Sequence, residues 1–215
     1  MNKIKEYFFK EIKFKSYNNL DKDIEIMQGY FEKYLPKEGD VVLDCGAYVG
    51  CFTIIASKLV ELTGKVIAFE PDPVSYRKLL QNIKLNKLKN VVAINKGLWS
   101  KNGKQKFFAR TSRGSSFVFK SDKLQSKEIT VVRLDSITKD LQLKKVDFIK
   151  MDVEGSELFV LKGLKNTLLK YKPNLAIATY HIVNGKTTDK DVEAFLIKLD
   201  YAPETGFLKH KVTYS

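Results

Sequence analysis

The sequence predicts an α/β domain with a mostly parallel β-sheet and helices on both faces. Apolar runs typical of buried strands alternate along the chain with segments of helical periodicity. The first run, residues 41–44, leads into a turn that contains Gly46 and Gly50, and the next run ends at Glu70, twenty residues after Gly50. Such a strand–turn–helix–strand unit is typical of nucleotide-binding sheets, whose ligands lie beyond the carboxyl ends of the strands. The strand ends therefore predict where the site lies.

The remaining elements follow in chain order. We expect a helix over 50–62, a helix from Pro73 to about residue 85 that buries Leu79, Leu80 and Ile83, and a strand over 91–95. Short strands over 104–110, 116–120 and 128–133 predict a hairpin insertion. A strand over 146–152, a helix over 155–172, a strand over 175–180, a helix over 189–199 and a closing strand over 206–214 complete the expected fold.

Residues 1–35 are expected to form an N-terminal helical extension to a domain of residues 36–215. Within this extension, residues 23–35 have helical spacing, with Met27, Tyr30, Phe31 and Tyr34 on one stripe. A stripe of this kind more often packs against a core than binds a substrate, so we expect a packing role. The extension could also cover the active site.

The composition fits a folded chain of one domain. The chain has 215 residues, of which 44% are hydrophobic and 29% charged, enough for a sizeable core. The two cysteines lack C-x-x-C spacing, so neither a zinc site nor a disulfide framework is indicated. Few cysteines, no signal sequence at the start and no apolar run of membrane-span length favour a cytoplasmic location.

The net charge of +13 allows two interpretations. A basic excess can attract nucleic acid or another acidic partner. The lysines are spread along the whole chain, however, and no ladder of aromatic and arginine residues accompanies their densest stretch. We therefore expect mainly a solubility effect, with weak and non-specific nucleic-acid binding.

The acid before the glycine turn favours one class of cofactor. Dinucleotide sites use G-x-G-x-x-G, a bare turn that lets a pyrophosphate approach a helix N-terminus. Here the glycines are spaced G-x-x-x-G, and Asp44 stands two residues before the first. A carboxylate would repel a pyrophosphate and would suit the ammonium group of S-adenosylmethionine, while Glu70 would reach the ribose hydroxyls. The alternative is an ordinary βαβ unit with a solvated acid at its turn.

A longer motif gives the sequence a specific resemblance. Residues 152–163 match D-x-E-G-x-E-x-x-x-L-x-G, which resembles the signature of FkbM-type S-adenosylmethionine-dependent methyltransferases. Residues 44–50, 69–73 and 133–135 stand where that family has its other motifs, and the resemblance covers about residues 24–181. It implies a class I methyltransferase fold, with seven strands of which the last is antiparallel. It also implies methylation of hydroxyl groups of sugars or natural products. The chain departs from the family at Tyr48, where Asn is usual.

The resemblance also implies roles at the cofactor site. The turn would lie under the cofactor, Asp44 would face its amino-acid moiety directly or through water, and Glu70 would take both ribose hydroxyls. Asp72 and the backbone near Gly97 would border the adenine, although Gly97 could also be a plain turn glycine. The implied set is Asp44, Gly46, Ala47, Tyr48, Gly50, Glu70, Pro71, Asp72, Gly97 and Leu98.

The candidate catalytic residues are Asp152, Glu154, Lys150 and His181. The first lies at a core strand tip, Lys150 shares its side of that strand, Glu154 follows in the turn, and His181 follows the next strand. Transfer to a hydroxyl benefits from a base or a metal, and this set could bind an acceptor and take its proton. Glu154 could instead cap a helix, and His181 could only hydrogen-bond a loop. A metal held by Asp152, Glu154 and His181 is possible, but no spacing demands it, and none is predicted.

The acceptor is less well defined by the sequence. No Asn-Pro-Pro-Tyr or Asp-Pro-Pro-Tyr stretch, typical of amino-group methyltransferases, is present, so oxygen is favoured as the acceptor. The polar loop 110–116 could hold a phosphate or sugar, or it could be a solvated hairpin loop. We expect an O-methyltransferase acting on a sugar, glycan or other small molecule. The alternatives are an RNA or protein methyltransferase and a non-catalytic nucleotide-binding module.

Overall fold

The computed structural model describes residues 4–108 and 126–215, so the expected strand 116–120 and the loop 110–116 lie outside the described residues. The elements in chain order are β1 Lys5–Phe9, β2 Ile12–Ser16, α1 Asp21–Tyr30, β3 Val41–Cys45, α2 Cys51–Val60, β4 Lys65–Phe69, α3 Pro73–Leu85, β5 Val91–Ile94, β6 Gly97–Leu98, β7 Gly103–Phe108, β8 Ser126–Val132, α4 Leu134–Asp140, β9 Phe148–Met151, α5 Glu157–Gly163, α6 Lys165–Tyr171, β10 Asn174–Ala178, β11 Ile182–Val183, β12 Lys186–Thr187, α7 Asp189–Ile197, β13 Glu204–Gly206 and β14 Val212–Tyr214.

The central sheet of the described chain has seven strands in the order β13-β14-β10-β9-β3-β4-β5. Strands β5, β4, β3, β9 and β10 run parallel, and β14 is antiparallel to both of its neighbours. The predicted mostly parallel sheet is confirmed. The expected single strand over 206–214 is wrong, because the chain reverses after Gly206, which pairs with Val212. The β7–β8 hairpin forms a separate small sheet with β6, in the place expected for the insertion.

The strands β3, β4 and β9 bury both of their faces. Val42, Val66 and Phe148 belong to one apolar cluster, which also contains the buried side chains of α2. Their neighbours Leu43, Ile67 and Ile149 belong to a second cluster, which contains residues of α5, α6 and α7. Because side chains alternate along a strand, this division places helices on both faces of the sheet. The prediction of a sheet covered on both faces is confirmed.

Two helix predictions need correction. Helix α3 buries Leu79, but Leu80 is exposed because it lies one residue further round the helix. The expected helix 155–172 is divided into α5 and α6 at Leu164, whose N–H bonds to the carbonyl of Leu161 in a tighter turn. At the break, a Cβ on Gly163 would lie 2.1 Å from the carbonyl oxygen of Trp99, so this glycine lets the chain after β6 approach closely.

The N-terminal extension is a β-hairpin followed by a helix, so the helical part of the expected extension is confined to its second half. β1 and β2 pair in register, and α1 begins at Asp21 and ends at Tyr30. The buried side-chain amide of Asn82 in α3 joins this segment to the glycine turn, because it donates to the carbonyl of Val49 at 2.8 Å and accepts from the N–H of Tyr17 at 3.1 Å. The extension is therefore fixed next to the carboxyl ends of the strands.

Within the described residues, no helix combines the length and the apolar content needed to cross a membrane. Both cysteines are free thiols and both are buried.

Candidate functional site

A cavity of about 340 Å³ opens at the carboxyl ends of β3, β4 and β9. Three chain segments that follow these strands line it: the glycine turn at Gly46, the stretch from Phe69 to Asp72, and the stretch from Lys150 to Glu154. Helix α1 closes another side with Asp23, Ile26, Met27 and Tyr30. The cavity thus lies where parallel sheets usually place their ligands.

The glycine turn depends on backbone conformations that suit few residues. Gly46 has a φ of +87°, and a Cβ there would lie 1.9 Å from the carbonyl oxygen of Asp152, so only glycine fits between β3 and the β9 loop. Tyr48 has a φ of +52°, a left-handed conformation that Asn adopts more readily than Tyr. This left-handed conformation gives a physical reason why Asn is usual at this position in the family that the sequence resembles. In this chain the N–H of Tyr48 points at Glu70.

Glu70 is a buried acid on the cavity wall, directly after the end of β4. Its side chain accepts the N–H of Tyr48 at 2.7 Å through Oε2 and the N–H of Asp72 at 2.9 Å through Oε1. Burial raises its pKa to about 7, although these two hydrogen bonds act in the opposite direction. Each carboxylate oxygen has a further lone pair, so the group can still accept hydrogen bonds from two ligand hydroxyls.

Asp44 does not line the cavity but lies beneath it, completely buried. Its carboxylate accepts a hydrogen bond from Thr53 Oγ1 at 2.6 Å and forms an ion pair with Lys150 Nζ at 3.0 Å. Of the two expected contacts of Asp44, the direct one therefore needs correction, because Asp44 is buried and already paired with Lys150, whereas the contact through water stays a prediction. Asp44 can influence a ligand through Lys150, which does line the cavity.

Lys150 is held as a cation. Its ammonium also donates to the carbonyl of Gly46 at 2.6 Å. Burial lowers the pKa of Lys150, but the negative charges of Asp44 and Asp152 more than compensate and leave it raised. A lysine in this state supplies a positive charge and hydrogen bonds, and it cannot take a proton from an acceptor.

Asp152 lies at the end of β9 with its carboxylate partly exposed to the cavity. Tyr30 donates its hydroxyl to Asp152 Oδ2 at 2.8 Å, and the Tyr180 hydroxyl lies 3.5 Å from Oδ1. Burial raises the pKa of Asp152, but the charges of His181 and Lys150 outweigh it, so the pKa is lowered. The group is therefore an ionised carboxylate that is oriented by a tyrosine.

His181 stands behind the cavity and does not line it. Its Nδ1 lies 2.9 Å from Glu157 Oε1, and its Nε2 lies 3.4 Å from a carboxylate oxygen of Asp152 and 3.4 Å from one of Glu154. Burial lowers the pKa of His181, but interactions with Glu154 and Glu157 raise it to about 10. The raised pKa favours the protonated form, which is not a base; the expectation that the set of four residues binds an acceptor and takes its proton stays a prediction.

The structure separates the alternatives for Glu154. The residue lies in the turn after β9 with a φ of +53°, and it contributes to the cavity wall. The N-cap of α5 is Ser156, so Glu154 stands two residues before the N-cap and does not occupy the capping position.

The remaining predicted residues divide into two groups. Five of them also line the cavity: Ala47, Tyr48, Pro71, Asp72 and Leu98. The other two, Gly50 and Gly97, are not among the lining residues. Gly50 is the N-cap of α2 with a φ of +95°, where a Cβ would collide with Leu79.

Helix α1 supplies part of the wall, as expected of an extension that could cover the active site. Met27 and Tyr30 are buried, as their packing stripe predicts, but both also line the cavity, which their spacing does not predict. A helical stripe cannot distinguish these roles, because which element it faces depends on how the extension docks. Tyr180 lies at the end of a predicted strand, where the site is expected, and it lines the same cavity.

Comparisons with known proteins agree with this geometry. A family model described as Methyltransferase FkbM domain matches residues 44–203. The chain is 30% identical over 168 residues to the hexuronic acid methyltransferase AglP of Haloferax volcanii, an alignment that covers 78% of this chain and 66% of AglP.

Two solved structures are similar in fold. The methyltransferase FkbM from Methylobacillus flagellatus has a TM-score of 0.62 at 23% identity, with 86% of this chain and 46% of that chain covered. The fibrillarin of Aeropyrum pernix, in complex with natively bound S-adenosyl-L-methionine, has a TM-score of 0.60 at 15% identity, with 98% and 81% covered. Both share the class I methyltransferase fold, although this chain spans only about half of the FkbM structure. The chain therefore belongs to the FkbM family of S-adenosylmethionine-dependent methyltransferases.

Proposed function

We propose that this chain is an O-methyltransferase that acts on a hydroxyl group of a sugar, glycan or other small molecule. The observation that carries the proposal is Asp152, an ionised carboxylate that faces the cavity and is oriented by the hydroxyl of Tyr30. A hydroxyl acceptor must lose its proton during transfer, and a carboxylate in this position can accept it.

The cavity wall has the groups that the cofactor requires. Glu70 offers two acceptor oxygens in a fixed orientation to the ribose hydroxyls. Phe69 and Leu98 provide apolar surface for the adenine, and Asp72 stands next to them on the wall. When bound, S-adenosylmethionine supplies a methyl group on a positively charged sulfur, which an acceptor oxygen can displace in line. The carboxylates of Asp152 and Glu154 favour this positive charge on their side of the cavity.

Each polar residue around Asp152 then has its own role in the transfer. The ammonium of Lys150 and the imidazolium of His181 keep Asp152 ionised, so that it is ready to accept the hydroxyl proton. Tyr30 holds the Asp152 carboxylate in one orientation, and α1 excludes water from that side of the cavity. Because much of the rate of such a transfer comes from holding the reactants in line, orientation by rigid neighbours matters as much as basicity.

The sugar acceptor is supported by the similarity to a hexuronic acid methyltransferase, of which this chain covers 66%. An RNA acceptor is the second candidate, because the chain carries a net charge of +13. The lysines do not concentrate in one stretch of the sequence, so the sugar or small-molecule acceptor is preferred.

A methyl-transfer screen tests the proposal. Labelled S-adenosylmethionine is incubated with the protein and with separate RNA, protein, lipid and glycan fractions. We expect label in the glycan or small-molecule fraction. Asp152→Asn should reduce turnover by about 10²–10⁴-fold while S-adenosylhomocysteine affinity stays nearly unchanged. Label in RNA alone, or full turnover of Asp152→Asn, would contradict the proposal.

A further inference from the structure

Three side chains at the edge of the cavity form a group with the geometry of a metal site. Asp152, Glu154 and His181 each offer one ligand atom, and these atoms lie within 4.8 Å of one another. Two ligands that are each about 2.1 Å from an ion are at most about 4.2 Å apart, so the group needs to close by only about half an ångström. The pairs that involve His181 Nε2 are already at 3.4 Å.

The histidine supplies an independent indication of a ligand. The His181 side chain is only 4% exposed, yet its Nε2 makes no contact with hydrogen-bond geometry. A buried polar atom without a hydrogen bond is costly, so a group of this kind needs an explanation. Nε2 lies 3.4 Å from a carboxylate oxygen of Asp152 and 3.4 Å from one of Glu154, and an ion bound by all three atoms would give it a partner.

The residue behind the histidine fits the same explanation. Nδ1 of His181 lies 2.9 Å from Oε1 of Glu157, which is completely buried and accepts the N–H of Gly155 at 3.1 Å. Metal-binding histidines usually have their other nitrogen held by a carboxylate, which fixes the ring and selects the nitrogen that faces the ion. Three carboxylates around one imidazole also leave an excess of negative charge that a divalent cation would neutralise.

We propose that Asp152, Glu154 and His181 bind a divalent transition-metal ion, such as Mn²⁺ or Zn²⁺, at the edge of the cofactor cavity. One imidazole with two carboxylates favours these ions over Mg²⁺ and Ca²⁺, which prefer all-oxygen sites. The ion takes the place of the proton that otherwise holds the ring against the carboxylates. Three protein ligands leave a position open. Asp152 and Glu154 both line the cavity, so an acceptor in the cavity would have access to that position.

The site itself stands on ligand geometry, while its role in transfer rests on the proposed function. A hydroxyl oxygen of the acceptor that occupies the open position would bind a cation, which lowers the pKa of that hydroxyl. The ionised oxygen would then be held close to the transferring methyl group, and its proton would pass to solvent or to a neighbouring carboxylate.

Metal binding is measured without any acceptor. The protein is freed of metal with a chelator, titrated with Mn²⁺ by electron paramagnetic resonance and with Zn²⁺ by calorimetry, and compared with Mg²⁺. We expect one Mn²⁺ or Zn²⁺ per chain. Binding should be lost in His181→Gln and in Glu154→Gln. It should weaken about 10–100-fold in Glu157→Gln, which keeps the acceptor for Gly155. His210→Gln is the matched control, because the chain has two histidines and His210 lies outside the group.

Two further measurements make each outcome decisive. S-adenosylhomocysteine binding by every variant shows that the variant is folded. Pulsed electron paramagnetic resonance of wild-type protein with Mn²⁺ should show one coordinated imidazole nitrogen, and this measurement needs no variant. No saturable binding of either ion up to about 1 mM, no nitrogen signal, or unchanged binding in folded His181→Gln would overturn the site. If the ion binds as expected but no acceptor class is methylated, the proposed function fails and the metal site stands.

Discussion

Glu70 offers the sharpest test of how the cofactor is held. Glu70→Gln keeps the size of the side chain but replaces one acceptor oxygen with an NH₂ group. Both oxygens of Glu70 accept backbone N–H groups, from Tyr48 at 2.7 Å and Asp72 at 2.9 Å, so the NH₂ group must face one of these donors. The variant therefore loses the charge and disturbs the orientation together. Hydrogen bonds to a charged group contribute about 1.5–3 kcal/mol, so affinity for S-adenosylhomocysteine should fall about 10- to 150-fold.

The pKa of Glu70 adds a second signature to the same test. With a pKa of about 7, most Glu70 carboxyls carry a proton at pH 6 and most are ionised at pH 8. The ionised form is the better acceptor of two ribose hydroxyls. Wild-type affinity should therefore rise about tenfold from pH 6 to pH 8, and this dependence should disappear in Glu70→Gln.

Isothermal calorimetry at several pH values measures both effects. Glu38→Gln is a matched control, because Glu38 is exposed and its side chain contacts Thr63 Oγ1 at 3.3 Å, away from the cavity wall. Thermal unfolding of each variant checks that the fold is retained. Equal affinity of Glu70→Gln and wild type, or a wild-type affinity that does not change with pH, would refute the assigned role of Glu70.

Three further predictions concern the turn, the tyrosine and the charge. Gly46→Ala should lower the free energy of unfolding by more than about 3 kcal/mol, because its Cβ would lie 1.9 Å from the Asp152 carbonyl oxygen. Gly185→Ala should lower it by only about 1–2 kcal/mol, through backbone strain, and chemical denaturation compares the two variants. Tyr30→Phe should lower turnover about tenfold with cofactor affinity nearly unchanged, because Asp152 loses its 2.8 Å hydrogen bond; steady-state kinetics and calorimetry separate the two effects. RNA binding should be weak and should vanish near physiological salt, with a slope of about 0.7 log units per log unit of salt for each phosphate contacted.

A specific result would contradict each of these three predictions. Equal stability of Gly46→Ala and Gly185→Ala would mean that the turn does not pack against the β9 loop as described. Wild-type turnover in Tyr30→Phe would reduce the tyrosine to packing. A tight RNA complex that survives physiological salt would favour the RNA acceptor.

The sequence was sufficient for the parts of the molecule that depend on local patterns. The glycine spacing, the acids at the strand ends and the alternation of strands with helices predicted the sheet and most of the cavity wall. These features are local because a strand end and its following turn are fixed by a few neighbouring residues.

The predictions that failed concern contacts between residues that are far apart in the sequence. The local sequence predicts that Asp44 faces the ligand, because its ion pair with Lys150 joins residues 106 positions apart. The protonation of His181 depends on Glu157 and Glu154, which the sequence could place only on a neighbouring turn. Tyr30 reaches Asp152 across 122 residues, and no periodicity in the sequence predicts such a docking.

One measurement tests the central claim that Glu70 and Asp152 face one cavity and serve transfer to a sugar hydroxyl. Purified protein is incubated with labelled S-adenosylmethionine and with uronic-acid and neutral glycosides, and the products are analysed by mass spectrometry before and after mild alkali. We expect a single methyl group on the sugar that is stable to alkali, as an ether is, with strongly reduced formation in Glu70→Gln and in Asp152→Asn. An alkali-labile methyl ester would move the acceptor from a hydroxyl to a carboxylate, which needs no base. No sugar product from a protein that binds S-adenosylhomocysteine, with label instead in RNA or protein, would contradict the claim.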